Sequence, residues 1–388
     1  MTTKQITSAR KMLNLPTRED AKHFHLFGTP ISKSPSPTMH NTAFQLLGLP
    51  HTYTLIETND VKRIQQIINA SHFGGASVTI PMKERVQPLL SRLTNAAERI
   101  GAVNTIYRDP LNNELVGDNT DWIGIRDSIL DAWSSSRQTK SNAVSGAVST
   151  GTRTPPSSPA SRLFAPPSPS VSSSTVLSGT TNGVPTVASS PPPVRSTSTS
   201  TSSSTTTSLA SGLVIGAGGT ARAAIYCLQQ MECQRICVHN RTHSKAVALA
   251  SEFGIEAMES LRSSNNAAST SLAASFDVVL CTVPASAGFT LPAGTWTVSP
   301  GGGGAVAGPR LVLDAAYRPS ETALLRQALT ESGGACLRVK GIDMLLMQGY
   351  GQLRRWLSME RMIIPLKKNV EKKVRRYYEE SGVVVALS

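Results

Sequence analysis

The stretch Gly212–Lys245 reads GLVIGAGGTARAAIYCLQQMECQRICVHNRTHSK, and few folds accept it. A short apolar run, Leu213–Ile215, enters the turn Gly216-Ala217-Gly218-Gly219, and a helix is expected from Thr220. A second apolar run, Arg235–Val238, ends at His239-Asn240-Arg241-Thr242. Strand, glycine turn, helix and strand in this order form a dinucleotide-binding unit. Glycines let the backbone approach a pyrophosphate, and the helix N-terminus supplies amide donors and a positive dipole end. The flanking strand and helix are the context that gives a glycine pattern meaning.

The end of the second strand selects the dinucleotide. An NAD site places Asp or Glu there, on the ribose 2′-hydroxyl. This chain has Asn240 and Arg241, followed by Thr242 and by Lys245 one turn further. Cations suit a 2′-phosphate that a carboxylate would repel, so the expected cofactor is NADP.

At 388 residues the chain has room for two domains with separate cores. The alternation of strand and helix patterns implies an α/β fold. An α/β substrate domain (21–133) is expected after an N-terminal extension (1–20). The Rossmann-type dinucleotide domain (212–340) follows. Residues 341–388 read as C-terminal helices packing back towards the first domain, with a basic tail. Between the domains, 134–211 is dominated by Ser, Thr, Pro, Ala and Gly, too poor in apolar residues to offset its conformational entropy. It is expected to be a disordered linker. The segment KERVQPLLSRL is expected to be helical, and Gly301–Gly304 to interrupt the later domain as a flexible loop.

The net charge of +13 raises a nucleic-acid reading. Part of the excess sits in the tail KKNVEKKVRR, without interleaved aromatics, and a solvated, frayed helix explains it. The five cysteines form no CxxC pair or zinc-type spacing, and several lie in apolar runs, as buried thiols of a reducing compartment do. No metal site, membrane span or secretory leader is read from the sequence, so the cytoplasm is the expected location. The expected partner is a small molecule, bound by a monomer or homodimer.

In the first domain, polar residues gather at strand ends, where α/β proteins place their sites. Ser34 and Ser36 stand two apart before a helix and are suited to one anion. Thr79 and Lys83 follow another strand, and Asn104 and Asp121 end two more stretches. Singly, each has an ordinary role: Ser36 or Asp121 as a helix cap, Lys83 as a surface lysine. Beside a nicotinamide domain they supply what alcohol oxidation needs, an acid/base and a partner that holds it. Either desolvation favours neutral Lys83, or Lys83 and Asp121 pass one proton between them.

Taken in order, GTPISKSPSPTMHN, GASVTIPMK, GAVNTI, GDNTD, GAGGTAR, NRT and KGIDMLLMQ resemble the shikimate/quinate 5-dehydrogenase family. The resemblance covers nearly all of the chain outside the N-terminus, the linker and the tail. The wording of GASVTIP, GDNTDWIGI, GAGGTARAAIY and CTVPAS is similar to the fungal branch, which includes the last domain of the pentafunctional arom protein. The resemblance implies reversible, NADP-dependent reduction of 3-dehydroshikimate to shikimate in a cleft between the domains. It makes Lys83 and Asp121 the catalytic pair. Ser34, Ser36, Thr79, Asn104, Tyr317 and Gln348 become substrate contacts. Gly216, Ala217, Gly218, Gly219, Asn240, Arg241, Thr242 and Lys245 become the cofactor site. Lys33 departs from the histidine of many members, Ser77 from an asparagine, and Lys245 from an arginine. A quinate or dual-specificity dehydrogenase is the alternative within the family, and a non-catalytic quinate-pathway regulator the alternative outside enzymes.

Overall fold

The computed structural model describes residues 18–146, 209–263, 271–298, 306–358 and 366–383. The first domain is built on β1 (His23–Gly28), β2 (Thr52–Glu57), β3 (Phe73–Val78), β4 (Arg92–Leu93), β5 (Thr105–Arg108) and β6 (Leu115–Asp118), in the order β2-β1-β3-β5-β6-β4. This sheet is mixed: β5 runs antiparallel to both its neighbours. Its helices are α1 (Ser36–Leu46), α2 (Val61–Ile68) and α3 (Asn95–Ile100). Strand alternation splits the core in two. Phe24 and Leu26 join Met39 and Phe44 of α1 on one face, while Phe27 joins Ile64 and Ile68 of α2 on the other.

The long helix α4 (Asp121–Gly146) leaves this domain. The second sheet comprises β7 (Ser211–Ile215), β8 (Arg235–His239), β9 (Glu256–Met258), β10 (Val278–Cys281), β13 (Leu311–Asp314) and β14 (Leu337–Lys340). Its order is β14-β13-β10-β7-β8-β9, with every pairing parallel. Numbered within the domain this is the doubly wound 3-2-1-4-5-6 arrangement, whose ligand crevice opens beyond the carboxyl ends of β7 and β10. All residues of β7, β10 and β13 are buried, as strands covered on both faces require. Helices α5 (Gly219–Gln230), α6 (His243–Phe253) and α7 (Ala323–Glu331) belong to this domain. The short strands β11 (Thr297–Val298) and β12 (Val306–Ala307) pair antiparallel.

Two helices cross between the sheets. Ile125, Ile129 and Trp133 of α4, spaced by four, bury their stripe in the second domain's core. Helix α8 (Gly341–Leu357) returns the other way, burying Ile342, Leu346, Tyr350 and Leu353 against Phe24 and Met39. At the crossing, a Cβ on Gly124 would stand 2.8 Å from Gln348 Cβ and from Met344 O. Glycine is what lets α8 lie this close to α4.

Several expectations need adjusting. KERVQPLLSRL is not an α-helix: Gln87–Leu89 is a single 3₁₀ turn and Arg92–Leu93 a short strand. Pro88 has no amide to donate, and Thr94 caps a new helix by accepting from Ala97 N at 3.2 Å. Helix α4 runs on to Gly146, past the Ser134 at which the linker was expected to begin. The rest of that linker up to residue 208, the loop Gly301–Gly304 and residues 1–17 lie outside the described residues. The basic tail forms helix α9 (Lys367–Val383), but it is not wholly solvated. Val370, Val374 and Tyr378, again spaced by four, are buried in the first domain's core, and the charged residues occupy the remaining face.

Candidate active site

A cavity of about 200 Å³ opens at the carboxyl ends of β1 and β3, roofed by α8 and by the start of α5. It is smaller than the pockets that enclose drug-sized ligands, and so suits a small metabolite. Ser34, Ser36, Thr79, Lys83, Asn104, Asp121, Tyr317 and Gln348 all line it. The structure therefore brings together both residues of the expected catalytic pair and all six expected substrate contacts, while Lys33 lies outside the cavity lining.

Lys83 and Asp121 are buried, at 8% and 5% exposure, so Lys83 is no surface lysine. Lys83 Nζ forms an ion pair with Asp121 Oδ2 and donates to Thr220 Oγ1 at 3.2 Å. Asp121 is also more than a helix cap. Its Oδ1 accepts from Asn104 Nδ2 at 2.7 Å, and its backbone N–H donates to Asn119 Oδ1 at 3.0 Å. Asn104 is held in turn, its Oδ1 accepting from Thr120 N at 2.6 Å and Thr105 Oγ1 at 2.7 Å. Gln348 Oε1 lies 3.2 Å from Asn104 Nδ2, and Gln348 Nε2 donates to Leu345 O at 2.9 Å. Below this layer the buried carboxylate of Asp118 accepts from Thr94 Oγ1 at 2.6 Å, Asn119 N at 2.8 Å and Arg355 Nε at 2.6 Å. It ties the Asp118–Asp121 loop to α8.

At the other end of the cavity Ser34 Oγ donates to Ser36 Oγ at 3.0 Å. Ser36 does not cap α1; Pro35 holds the cap position. Tyr317 lines the same end beside Ser34, and burial raises its hydroxyl above the ordinary tyrosine range. Two hydroxyls and a phenol thus converge on one spot, a donor set suited to a carboxylate.

Three polar cavity residues carried no site role in the sequence reading: Thr220, Ser77, noted only as a departure, and Gln352. Tyr53 OH donates to Ser77 Oγ at 2.7 Å, and Ser77 Oγ donates to Gln352 Oε1 at 2.9 Å. Gln352 Nε2 reaches Asn104 O at 3.2 Å. Gln352 was within reach, because it stands one helical turn after Gln348 and shares its face.

His40 lies beneath this chain, stacked on Tyr53 at 4.4 Å between ring centroids and facing Trp356 at 4.9 Å. Burial pushes its imidazole from 6.5 down to about 3, with the Gln352 side chain partly opposing. The folded value is depressed, so below pH 6.5 the unfolded chain binds the additional proton. The stability from neutral His40 is complete above pH 6.5 and is lost as pH falls towards 3. Between pH 7 and pH 5 this group should cost the parent up to about 2 kcal/mol. Urea unfolding at both pH values should show a shallower loss for His40→Phe, and equal losses would contradict the account.

The glycine turn lies on the other side of Lys83. Gly216 has φ +118, and a Cβ there would meet Thr282 Oγ1 at 2.4 Å. A Cβ on Gly218 meets nothing within 4 Å, so open space lies above the turn. Gly218 provides the cap of α5 without any side-chain bond, leaving the first amides of the helix free for an anion. Gly216 N donates to His239 O at 2.9 Å, which sets the end of β8 beside the turn. Asn240 Nδ2 donates to Thr242 O at 3.0 Å, while Arg241 and Lys245 are exposed. Turn, free amides and two accessible cations fit a phosphate-bearing dinucleotide. Asn240, Arg241, Thr242 and Lys245 stand apart from the cavity. Gly219 reaches its edge, with Lys83 Cδ 3.2 Å from where its Cβ would be.

Among the described residues no group of three or more His, Cys, Asp or Glu is arranged to hold a metal, and no helix is long and apolar enough to cross a membrane. The five cysteines are free thiols.

A strand-end cavity in a mixed α/β domain, faced by the glycine turn of a Rossmann sheet, defines a two-domain dinucleotide-binding protein. The family model described as "Shikimate dehydrogenase substrate binding domain" matches residues 26–106, and that of "Shikimate / quinate 5-dehydrogenase" matches residues 200–290. Over these two segments the chain is similar to the shikimate/quinate 5-dehydrogenase family. It is 32% identical to the pentafunctional AROM polypeptides of Malassezia globosa and Schizosaccharomyces pombe, over 92% of its length in each case. It spans only 18% of those relatives. Among solved structures, the dehydroquinate dehydratase and shikimate dehydrogenase portion of S. pombe AroM aligns with a TM-score of 0.58 at 28% identity. That alignment covers 95% of this chain and 56% of the other. Shikimate 5-dehydrogenase of Thermus thermophilus in complex with NADP(H) and shikimate aligns with a TM-score of 0.56, over 92% of this chain and 99% of that one. At 23% identity the Thermus likeness bears on the fold alone.

Proposed function

We propose that this chain is an NADP-dependent shikimate 5-dehydrogenase, reversibly reducing the ketone of 3-dehydroshikimate to the alcohol of shikimate. The observation that carries the reading is the buried Lys83–Asp121 pair, set between a small-acid cavity and a glycine turn. When bound, the nicotinamide supplies or accepts the hydride; the remaining work falls to side chains.

Ser34, Ser36 and Tyr317 bind the ring carboxylate. Thr79, Asn104 and Gln348 orient the ring hydroxyls, with Gln352 and Ser77 beneath them. Lys83 Nζ gives a proton to the carbonyl oxygen in reduction and takes it back in oxidation. Asp121 fixes the direction of Nζ, because Asn104 holds its second oxygen. The free amides after Gly218 receive the pyrophosphate, and Arg241 and Lys245 receive the 2′-phosphate. Closure between α5 and the cavity excludes water and aligns the reacting carbon. The reading places the protein in the cytoplasm, as a monomer or homodimer.

The test is purified protein with shikimate or quinate, each crossed with NADP or NAD, following reduced nicotinamide. Turnover is expected first with shikimate and NADP. Faster turnover with quinate replaces the substrate, and binding of both ligands without turnover replaces the enzyme by a sensor.

A further inference from the structure

We infer that Arg222 is a positioning residue that locks the glycine turn onto the segment carrying Asn104; the inference rests on the dehydrogenase reading above. Arg222 closes the string GAGGTAR, but the pyrophosphate contacts of the turn, made by glycines and backbone amides, do not call for an arginine there. Arg222 stands in the first turn of α5, two residues after Thr220, whose hydroxyl meets Lys83. Its side chain leaves its own domain. Arg222 Nε donates to the carbonyl oxygen of Ile100, the last residue of α3. The other guanidinium nitrogens fork onto the Glu252 carboxylate of α6, with Nη1–Oε2 at 2.9 Å, and the guanidinium lies 5.4 Å from the ring centre of Phe253. One end of the fork is thus fixed in the cofactor domain and the other in the first domain.

The seat is specific. A carbonyl at a helix C-terminus has no intrahelical partner and favours a cation. Gly101 follows with φ +68, and a Cβ there would stand 2.4 Å from Arg222 Nη2. Gly101 O is held by Gln87 Nε2 at 2.7 Å. From there the chain runs through Ala102 and Val103 to Asn104. Val103 N donates to Lys83 O at 2.7 Å, and Ala102 O accepts from Asn119 Nδ2 at 2.8 Å. The seat of Arg222 is therefore four residues from Asn104 and connects through Val103 to the backbone of Lys83.

The neighbouring contacts among Ile100, Ala102, Ala223 and Tyr226 are apolar, and apolar packing has little directional preference. The guanidinium fork does have direction, so it sets the register of α5 on the first domain. Arg222 does not line the cavity, so its effect reaches the chemistry through alignment. A misplacement of about 1 Å is enough to cost about a hundredfold in rate.

The test compares Arg222→Ala and Arg222→Lys with the parent in the full chain. It reads kcat, both KM values, the isotope effect with C4-deuterated NADPH, and NADPH affinity by fluorescence titration. The alanine variant should lose about 10- to 100-fold in kcat, with a larger isotope effect and NADPH affinity within about twofold of the parent. Added guanidinium ion should restore part of the rate. Arg222→Lys keeps the charge but lacks the fork, so it should show the same pattern, and it carries the test if the alanine variant fails to fold. Unchanged kcat and isotope effect, or a loss confined to NADPH affinity, overturns the inference. A parent inactive with every substrate pair sinks the dehydrogenase reading instead.

Discussion

Lys83→Ala should lower turnover by about a thousandfold or more while leaving substrate and NADPH able to bind. A positioned acid/base contributes roughly 10²- to 10⁴-fold, and the loss here belongs in the upper part of that range. Removing Nζ takes away the proton donor and also leaves the Asp121 carboxylate buried beside the reacting oxygen without its cation. A negative charge there opposes the alkoxide that forms when hydride arrives. Losing one partner of a buried pair also costs stability, on the order of 3 kcal/mol, so rates must be read well below the melting transition. Asp121→Asn should be milder, because Asn104 and Thr220 still hold that end of the cavity. Steady-state kinetics with a melting curve for each variant checks both statements. Turnover of a folded Lys83→Ala protein within about tenfold of the parent removes Lys83 from the proton step.

The second large effect concerns cofactor choice. Arg241→Ala combined with Lys245→Ala should lower kcat/KM for NADP by about a hundredfold and leave that for NAD nearly unchanged. Each hydrogen bond from a cation to a phosphate contributes about 1.5–3 kcal/mol, and 1.4 kcal/mol is tenfold. Both side chains are exposed at the end of β8 and the start of α6, so their removal leaves the core intact. NAD has no 2′-phosphate to lose, which makes it the internal control. Equal losses for the two cofactors would mean that these cations act on something other than the phosphate.

How much of this was legible in the sequence depends on the range over which each contact acts. The glycine turn and the cations after β8 lie within one βαβ unit, where spacing along the chain is spacing in space. The cavity residues were legible for a similar reason, since strand ends of an α/β sheet converge on one edge. Contacts that span the chain were hidden. Lys83 meets Thr220 across 137 residues, and Arg355 meets Asp118 across 237. Neither pair has a local signature. The tail misled for a different reason: Val370, Val374 and Tyr378 are a thin apolar stripe among charges, and composition outweighed periodicity. In KERVQPLLSRL the apolar pattern suggested a helix, and the missing amide of Pro88 decided otherwise.

The central claim is that the Lys83–Asp121 cavity and the glycine turn work as one hydride-transfer site. Its most direct measurement is a reaction of the full chain with 3-dehydroshikimate and C4-deuterated NADPH, read by NMR of the product. The account predicts deuterium on the ring carbon that carried the ketone, in the parent and, about a thousandfold more slowly, in Lys83→Ala. A chain that binds both compounds and transfers no deuterium would contradict it.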